Sequence, residues 1–467
     1  MRLGRRALLT AAAGSAVAMA LPGSVRSRAG TLHDLTLTAA ERPIALLGGA
    51  VRPLPLWTYG SSGMPVLRLQ QGDRLRATLV NQLAEHTSIH WHGVRVPNAQ
   101  DGVPYMTQQP VQPGERFVYE FELSDTGTYF FHPHCDTAVQ LGRGLAGILV
   151  VEGDSALPFD ADLVVAMRDF RVDAAGKFLP FTTDEGASRG GTFGSLRTVN
   201  GIPRPTLAVP AGGDVRLRLL NIDNTRVMEV GFEGADAALL AIDGNAVAPL
   251  PLKSWRMGPA MRIDVVLRAP PAGRTVHLLD YFAAEPVELA RFDAQGQGLA
   301  RPTFAPWPLI ANRLAEPAPQ GAERLRLTLS ATGVAQDLVL PDGQVLRYSD
   351  ALCLSDRTFW AINRQSWPQS DHRQLPPPLF ELGRGKTQVL ELVNATPHMH
   401  PIHLHGHFFK VLQGRKGVPP YWADTVLLGP KDRTEIAFVA DNPGDWMLHC
   451  HIIEHQETGM MAYYRVA

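Results

Sequence analysis

The stretch from residue 72 to residue 81 reads Gly-Asp-Arg-Leu-Arg-Ala-Thr-Leu-Val-Asn, which is a glycine and polar turn, an alternating strand and a closing asparagine. The template returns as Gly-Gly-Asp-Val-Arg-Leu-Arg-Leu-Leu-Asn at 212–221 and as Gly-Lys-Thr-Gln-Val-Leu-Glu-Leu-Val-Asn at 385–394. Such alternation turns one face of each strand toward a core. The copies begin 140 and 173 residues apart, which is a domain length and not a solenoid period. The sequence therefore predicts an all-β chain of three consecutive β-sandwich domains.

The predicted domain boundaries fall where this strand pattern lapses. Residues 31–153 form the first domain, which ends in the run Glu-Gly-Asp-Ser-Ala-Leu-Pro at 152–158. Residues 154–300 form the second domain, and the Pro- and Ala-rich residues 301–322 form an ordered connector. Residues 323–467 form the third domain.

Composition and charge agree with a folded β protein and argue against a nucleic-acid partner. The 467 residues include 43 glycines and 37 prolines, with 45% hydrophobic and 19% charged residues. Lys and Arg together number 44 against 45 Asp and Glu, so the formal net charge is −1. Because there is no basic excess to bind a phosphate backbone, we expect no nucleic-acid partner.

Residues 1–30 resemble an export signal of the twin-arginine type. Arg5 and Arg6 precede an apolar run from Ala7 to Leu21, which is short for a membrane span. Small residues offer cleavage sites after Ala20 or near residue 29. A short membrane anchor is the alternative. We expect a periplasmic protein with no membrane insertion after cleavage, and the twin-arginine route favours a cofactor-loaded cargo.

Two histidine motifs occur in both the first and the third domain. Residues 127–134, Gly-Thr-Tyr-Phe-Phe-His-Pro-His, match residues 444–451, Gly-Asp-Trp-Met-Leu-His-Cys-His. Residues 89–93, Ile-His-Trp-His-Gly, likewise match residues 402–406, Ile-His-Leu-His-Gly. The second domain has neither motif. Side chains two residues apart on a strand share a face, so each His-x-His pair can hold metal. If the two domains pack together, eight imidazoles converge: His90, His92, His132, His134, His403, His405, His449 and His451.

Imidazoles alone do not identify the metal, but the third domain adds a thiol. Cys450 lies between two of these histidines, so its sulfur points to the opposite face of the strand. His400, His455 and Met460 lie near it in sequence. Two imidazoles, a thiolate and a weak thioether describe a blue-copper site. The aligned positions of the first domain have lost all four donors and hold Thr87, Pro133, Ala138 and Arg143.

These motifs resemble those of the multicopper oxidases, in particular the three-domain, laccase-like bacterial members. The resemblance covers the chain after the signal and implies three cupredoxin-like Greek-key domains and four copper ions. It implies a type 1 copper at His400, Cys450, His455 and Met460, and a type 2 copper at His90 and His403. It assigns the type 3 pair to two further sets: His92, His132 and His451 on one ion, and His134, His405 and His449 on the other.

The same resemblance implies catalytic roles for Cys450 and for carboxylates near the cluster. Asp101 matches an acidic residue that orients water and feeds protons, although an Asp-Gly turn residue is the alternative. Many bacterial relatives have a glutamate where this chain has Gln456, so Glu454 or Glu457 is expected to replace it, or the proton route differs. Asp424 aligns loosely with a loop beside the type 1 site and is a candidate acceptor for a proton from an amine or phenol.

Several further side chains carry weaker expectations. Met461 competes with Met460 as the axial ligand and otherwise points into the core. Cys135 is a candidate disulfide partner of Cys353, which would join the first domain to the third. The remaining histidines are expected to be surface or supporting residues, with two of them closest to the ligands: His33, His86, His277, His372, His398 and His407.

The implied activity is four one-electron oxidations of a small donor coupled to reduction of one dioxygen to two waters. Phenols and aromatic amines are the preferred donors, because the 12 methionines form no cluster typical of a cuprous oxidase. Oxidation of cuprous ion, with copper tolerance, is the alternative. A non-enzymatic cupredoxin-fold protein is more remote, since all twelve predicted ligands are present, and so is a copper nitrite reductase, which lacks the paired His-x-His set of a three-copper cluster. We expect the enzyme to act as a monomer.

Overall fold

A computed structural model describes residues 30–46, 53–153, 159–331, 359–367, 375–414 and 417–467, and the backbone of 338–339 and 345–346. The described residues form two packed sheets in each third of the chain, plus a two-stranded ribbon. The export signal lies outside the described residues and stays a prediction. Among the described residues, no helix is long and apolar enough to cross a bilayer.

The first pair of sheets has the strand orders β2-β1-β4-β6 and β3-β8-β7-β5. A 3-10 turn at Asn98–Gln100 and a helix at Thr137–Gly142 complete this part of the chain. The strands are β1 Leu32–Ile44, β2 Leu54–Thr58, β3 Val66–Gln70, β4 Arg74–Asn81, β5 His90–His92, β6 Arg116–Glu122, β7 Gly127–His132 and β8 Gly147–Glu152.

The second pair has the orders β10-β9-β12-β17-β14-β15 and β11-β19-β18-β13-β16. A short helix spans Asp184–Ala187. The strands are β9 Ala161–Phe170, β10 Leu196–Val199, β11 Thr206–Pro210, β12 Asp214–Asn221, β13 Met228–Glu233, β14 Ala237–Ile242, β15 Asn245–Pro251, β16 Ser254–Met257, β17 Arg262–Arg268, β18 Thr275–Asp280 and β19 Val287–Gln295.

The third pair has the orders β23-β20-β25-β30-β27-β28 and β24-β32-β31-β26-β29, and β21 pairs with β22 in the ribbon. A helix at Ile453–Glu457 follows β31. The strands are β20 Arg324–Ala331, β21 Leu338–Val339, β22 Val345–Leu346, β23 Trp360–Ile362, β24 Glu381–Leu382, β25 Thr387–Asn394, β26 His400–Leu404, β27 Phe409–Val411, β28 Tyr421–Ala423, β29 Thr425–Leu428, β30 Arg433–Val439, β31 Gly444–Cys450 and β32 Met461–Val466.

The repeated ten-residue template occupies the same place in each third of the chain. Strand β4 lies between a parallel β1 and an antiparallel β6, as β12 does between β9 and β17 and β25 between β20 and β30. The alternating apolar side chains of the template are buried in the cores. This equivalence confirms the predicted all-β fold of three cupredoxin-like sandwiches.

The closing asparagine of each template is buried and bonds a loop in the same way three times. The Nδ2 atom of Asn81 donates to the carbonyl oxygens of Glu85 and Val111, and its Oδ1 accepts from the Leu83 amide. Asn221 and Asn394 each donate to two carbonyl oxygens and accept an amide two residues ahead. Because a buried amide must find these partners, the asparagine fixes the loop that leads toward the histidine motifs.

Candidate metal centre

Two strand pairs present the histidines, one in the first domain and one in the third. In the first, β5 and β7 run antiparallel with His90 opposite His132. In the third, β26 and β31 run antiparallel with His403 opposite His449. The two arrangements therefore use equivalent strands, as the duplicated motifs predict.

The structure brings all eight histidines of these motifs into one buried cluster between the two domains. The His90 ring stacks on the His405 ring with centroids 3.9 Å apart, and the His92 ring stacks on His403 at 3.8 Å. Each of these contacts joins the first domain to the third. Every imidazole of the set is at most 8% exposed. The surfaces that carry the motifs thus meet face to face.

One nitrogen of most of these rings is held by a protein acceptor. Nδ1 of His90 lies 2.9 Å from the carbonyl oxygen of Asp101, and Nδ1 of His403 lies 2.8 Å from that of Asp424. His132 and His449 use Nδ1 for a carbonyl of the following residue, 2.9 Å away in both cases. Since a carbonyl can only accept, these rings carry their proton on Nδ1 and leave Nε2 as a lone-pair donor.

Seven ring nitrogens of the cluster are buried and have no hydrogen-bond partner among the described residues. Buried polar atoms are nearly always bonded, so a convergent set of unpaired nitrogens fits a metal cluster. Nε2 of His405 and Nε2 of His449 approach each other to 3.1 Å. The unpaired atoms are His90 Nε2, His92 Nδ1, His132 Nε2, His134 Nε2, His403 Nε2 and both nitrogens of His451.

Burial favours the neutral, metal-binding form of seven imidazoles of the cluster. Desolvation lowers their pKa below the ordinary value, and charge repulsion between neighbouring rings lowers it further in most of them. The lowered pKa applies to His92, His132, His134, His403, His405, His449 and His451.

A second group of donors lies on the other face of β31. The Cys450 sulfur is 3.6 Å from Nδ1 of His400 and 3.6 Å from Nδ1 of His455, and these two nitrogens are 3.1 Å apart. His455 donates Nε2–H to the Arg189 carbonyl oxygen at 2.7 Å, and Nε2 of His400 contacts the Thr396 hydroxyl at 2.8 Å. Both rings are thereby fixed with Nδ1 toward the sulfur. Two imidazoles and a thiol in this arrangement fit copper.

The two methionines after this site differ in their surroundings. Met460 is buried in the same core as Cys450, and its backbone bonds both Cys450 and His455. Met461 is half-buried and lines a cavity of about 930 Å³. As expected, Met461 packs against apolar side chains, namely the small cluster of Val103, Trp367, Met447 and Tyr463, although one side of it faces the cavity. In the first domain, Thr87 occupies the position aligned with His400, and its hydroxyl donates to the side-chain oxygen of Gln140.

Asp101 joins the two domains at the histidine cluster. Its Oδ2 lies 2.8 Å from Nδ1 of His405, and its Oδ1 lies 3.2 Å from Nδ1 of His90. The side chain is buried, so these contacts are shielded from water. The placement agrees with an orienting role and leaves proton delivery as a prediction.

The structure places Asp424 away from the location expected from sequence. Its carboxylate is buried against His92, with Oδ1 3.1 Å from Nε2, and it does not lie beside the cysteine group. The Arg262 guanidinium binds the same carboxylate and holds its pKa well below the usual range against the effect of burial. A substrate proton cannot reach a group buried in this way, so the expected role of Asp424 at the donor site is wrong.

Arg262 itself was not anticipated from the sequence. It lies in the second domain, which has no histidine motif, and 162 residues separate it from its carboxylate partner. An arginine in an alternating strand resembles any surface residue, and only its complete burial shows otherwise.

The three residues considered for proton delivery face different surroundings. The Glu454 carboxylate accepts hydrogen bonds from the Thr183 and Thr192 amides and the Thr192 hydroxyl, all in the second domain. Among the described residues it bonds no histidine of the cluster, so this geometry does not support Glu454 as the substitute acid. Gln456 and Glu457 line the cavity that also reaches His134. Burial raises the pKa of Glu457 to about 8.

The remaining histidines and Cys135 have supporting or peripheral positions. His407 is buried, and its Nδ1 lies 2.8 Å from the Tyr464 hydroxyl, which donates to the His405 carbonyl. The ring of His398 is half-buried near Trp360. Cys135 is a buried thiol near Ser88, while Cys353 and His372 lie outside the described residues, so the disulfide stays a prediction. His33 and His277 bond the carboxylates of Asp73 and Glu288, and His86 lines the cavity.

Known proteins resemble this chain over most of its length. Sequence models of the multicopper oxidase family match residues 50–156, 168–282 and 354–467. The crystal structure of a multicopper oxidase from Pseudomonas thermotolerans is 40% identical and covers 94% of this chain and 100% of its own, with a TM-score of 0.83.

Two curated relatives are more distant in sequence but similar in extent. The multicopper oxidase MmcO of Mycobacterium tuberculosis is 29% identical over 96% of this chain and 90% of its own length. A laccase of Cryphonectria parasitica is 28% identical over 92% of this chain and 80% of its own length. The chain therefore belongs to the multicopper oxidase family, whose members use dioxygen and a reducing substrate.

Proposed function

We propose that this protein is a laccase-like oxidase that holds four copper ions and takes single electrons from phenols or aromatic amines. One observation carries the proposal: residues 449–451 direct a thiol to one face of a strand and two imidazoles to the other. Each face meets its own set of nitrogen donors, so a single short segment joins two metal centres. The similarity to a fungal laccase supports the choice of donor.

The protein residues divide between the two centres. His400, Cys450 and His455 would hold a type 1 copper, with Met460 as the expected fourth donor, and the eight clustered histidines would hold the other three ions. Bound copper would supply one-electron oxidation of the donor and reduction of dioxygen to water. The backbone of Cys450 connects covalently to His449 and His451, which gives electrons a short path between the centres.

The surroundings of His455 suggest where electrons arrive. Its Nε2–H bonds the carbonyl oxygen of Arg189, whose own side chain is 68% exposed. The Trp360 ring packs against the rings of both His400 and His455 and is buried. A donor that rests on the Arg189 loop would therefore be one hydrogen bond from the His455 imidazole.

Asp101 would keep the two domains aligned at the cluster. Because it contacts Nδ1 of His405 and of His90, it fixes the orientation of one imidazole from each domain. As the carboxylate in contact with both rings, it would also be the group that passes protons to the cluster.

Cuprous-ion oxidation is a second candidate, favoured by the wall of the cavity next to the helix that carries His455. Met447 and Met461 supply thioethers there, and Asp136 and Asp184 supply carboxylates. Soft sulfur donors suit Cu(I). A small cation could therefore approach the helix from this side.

The copper-loaded enzyme, given a phenol or Cu(I) as donor with oxygen uptake as the readout, distinguishes these functions. We expect the phenol to give the higher kcat/KM. The reverse ratio would favour the metallo-oxidase. If neither phenol nor Cu(I) supports oxygen uptake, both proposals are contradicted.

The Cys450→Ser variant is the control for the route of electrons. It should lose the blue absorption and nearly all oxygen uptake while it retains copper at the histidine cluster. A serine variant that oxidised phenol at the normal rate would show that electrons do not pass through this thiolate.

A further inference from the structure

A buried arginine of the second domain reaches the histidine cluster through a single carboxylate. Arg262 is fully buried, and its guanidinium binds Asp424 in a two-point fork, with Nη1 2.8 Å from Oδ1 and Nη2 2.6 Å from Oδ2. Two backbone acceptors hold two of the three remaining N–H donors, namely the carbonyl oxygens of Thr128 and Ala260. The guanidinium is therefore fixed from three sides and cannot rotate away.

The carboxylate of Asp424 in turn contacts histidines from two domains. Its Oδ1 lies 3.1 Å from Nε2 of His92 and 3.5 Å from Nδ1 of His403. The Thr425 hydroxyl donates to the same oxygen at 2.8 Å. Because a carboxylate accepts from His92 Nε2, the ring is held with Nδ1 toward the cluster, the opposite choice from His90 or His403.

The backbone beside His92 leaves no room for this arrangement to shift. Gly93 has φ +78°, and a Cβ atom there would lie 2.4 Å from Asp424 Oδ2 and 2.5 Å from Arg262 Nη2. The turn after the His-x-His strand thus packs directly against the Arg262–Asp424 ion pair. Asp243 closes the opposite side, since its Oδ1 accepts from the Arg262 amide and its Oδ2 from the Thr425 amide.

We propose that Arg262 is a positioning residue of the metal cluster, which fixes the orientations of His92 and His403 by holding Asp424 in place. The middle domain supplies no histidine of the cluster, yet through this residue it fixes how the imidazoles of the other two domains meet. The inference rests on the proposed function, because it assigns the cluster to copper.

The chain offers a matched control in Arg218 on the neighbouring strand β12. Arg218 is 2% exposed, forks onto Asp162, and donates to the Thr128 hydroxyl of the first domain. It therefore joins the second domain to the first at Thr128, as the Nε of Arg262 does, while its own ion pair with Asp162 stays within the second domain. Among the described residues, none of its carboxylate partners bonds an imidazole.

The test compares Arg262→Lys with Arg218→Lys after reconstitution of the copper-free protein with copper. Chelator competition and electron paramagnetic resonance report the cluster, and the blue absorption reports the cysteine site. We expect Arg262→Lys to weaken copper binding at the cluster about 10- to 100-fold and to change the type 2 resonance, with the blue absorption retained. Arg218→Lys should leave both signals at their normal values.

Each other outcome overturns the proposal. Normal cluster affinity and resonance in Arg262→Lys would show that the fork orients nothing, and equal losses in both variants would show a general packing effect. If Arg262→Lys fails to fold, Asp424→Asn must give the selective change instead, and a normal Asp424→Asn cluster would refute the inference. Absence of type 2 copper from the unaltered protein would reject the proposed function itself.

Discussion

Gln456 places an amide where a carboxylic acid is expected from the family resemblance. Its side chain is buried, and Oε1 has no hydrogen-bond partner among the described residues. The residue lines the cavity of about 930 Å³ that also reaches His134, so water has room beside this oxygen. An amide can orient such water but cannot release a proton to it.

The Gln456→Glu variant should therefore raise turnover at neutral pH. A carboxylic acid on the cavity wall adds a proton donor, and we expect an increase of roughly tenfold where proton delivery limits the rate. The pH profile of kcat should acquire a new ionisation. Oxygen uptake with a phenol across pH 5–9 measures both quantities.

The control for this variant is Gln456→Met, which keeps the side-chain length and offers no acid. It should not exceed the parent rate. An unchanged rate and profile in Gln456→Glu would mean that protons arrive by another route.

Single residues also show what sequence can and cannot reveal about this site. The family resemblance points to Asp101, but the contact of its carboxylate with His405 of the third domain is visible only in the structure. The contacts of Asp424 were missed because they depend on Arg262 in another domain. Local spacing predicts local geometry, whereas a contact across domains leaves no pattern in the chain.

At the level of elements, both His-x-His strands end in a glycine with a left-handed backbone. Gly93 follows His92 with φ +78°, and Gly406 follows His405 with φ +73°. A Cβ at Gly406 would lie 2.4 Å from ring atoms of Trp446. The turn after each strand therefore needs glycine both for its backbone and for space.

Gly406→Ala should destabilise the protein and disturb the cluster together. The left-handed backbone costs an alanine about 1–2 kcal/mol, and the clash with Trp446 adds about 1–3 kcal/mol. Because His405 precedes this turn, copper should be lost from the cluster before it is lost from the cysteine site. Denaturant unfolding and copper content measure the two effects.

Gly385→Ala separates backbone strain from the clash. Gly385 has φ +77°, but a Cβ there would meet nothing within 4 Å. The Gly385→Ala variant should lose only the stability that the left-handed backbone costs, and it should keep all its copper. Equal losses of stability in the two variants would show that Trp446 yields without cost.

The elements of the fold were predictable where the chain repeats itself. The template strands took the same central place three times, and the alternation of His449, Cys450 and His451 gave the two faces that the structure shows. The direction of Glu454 was not predictable, because a one-turn helix such as Ile453–Glu457 has no hydrophobic period to orient it.

In the molecule as a whole, the middle domain closes both candidate centres although it supplies none of their predicted ligands. Arg262 reaches the histidine cluster, and the loop around Arg189 reaches His455. The carbonyl oxygen of Ala187 accepts a hydrogen bond of 2.6 Å from the indole N–H of Trp360, whose ring contacts His400 and His455. The second domain therefore acts as a brace between the two metal-binding ones.

The contact of Glu454 with the second domain is the part of this brace most open to test. The carboxylate accepts from the amides of Thr183 and Thr192 and from the Thr192 hydroxyl at 2.5 Å, so it ties the His455 helix to the middle domain. Glu454→Gln places an NH2 group against these donors and should cost about 1–3 kcal/mol.

The blue absorption of Glu454→Gln should therefore disappear at a temperature several degrees below that of the parent, at about 2–4 °C for each kcal/mol. Glu435→Gln is the matched control, since its carboxylate pairs with Arg324 at 3.3 Å on the surface and should leave the melting temperature unchanged. Coincident melting of the Glu454 variant and the parent would show that the third domain holds the His455 helix by itself, and the middle domain would then brace only the histidine cluster.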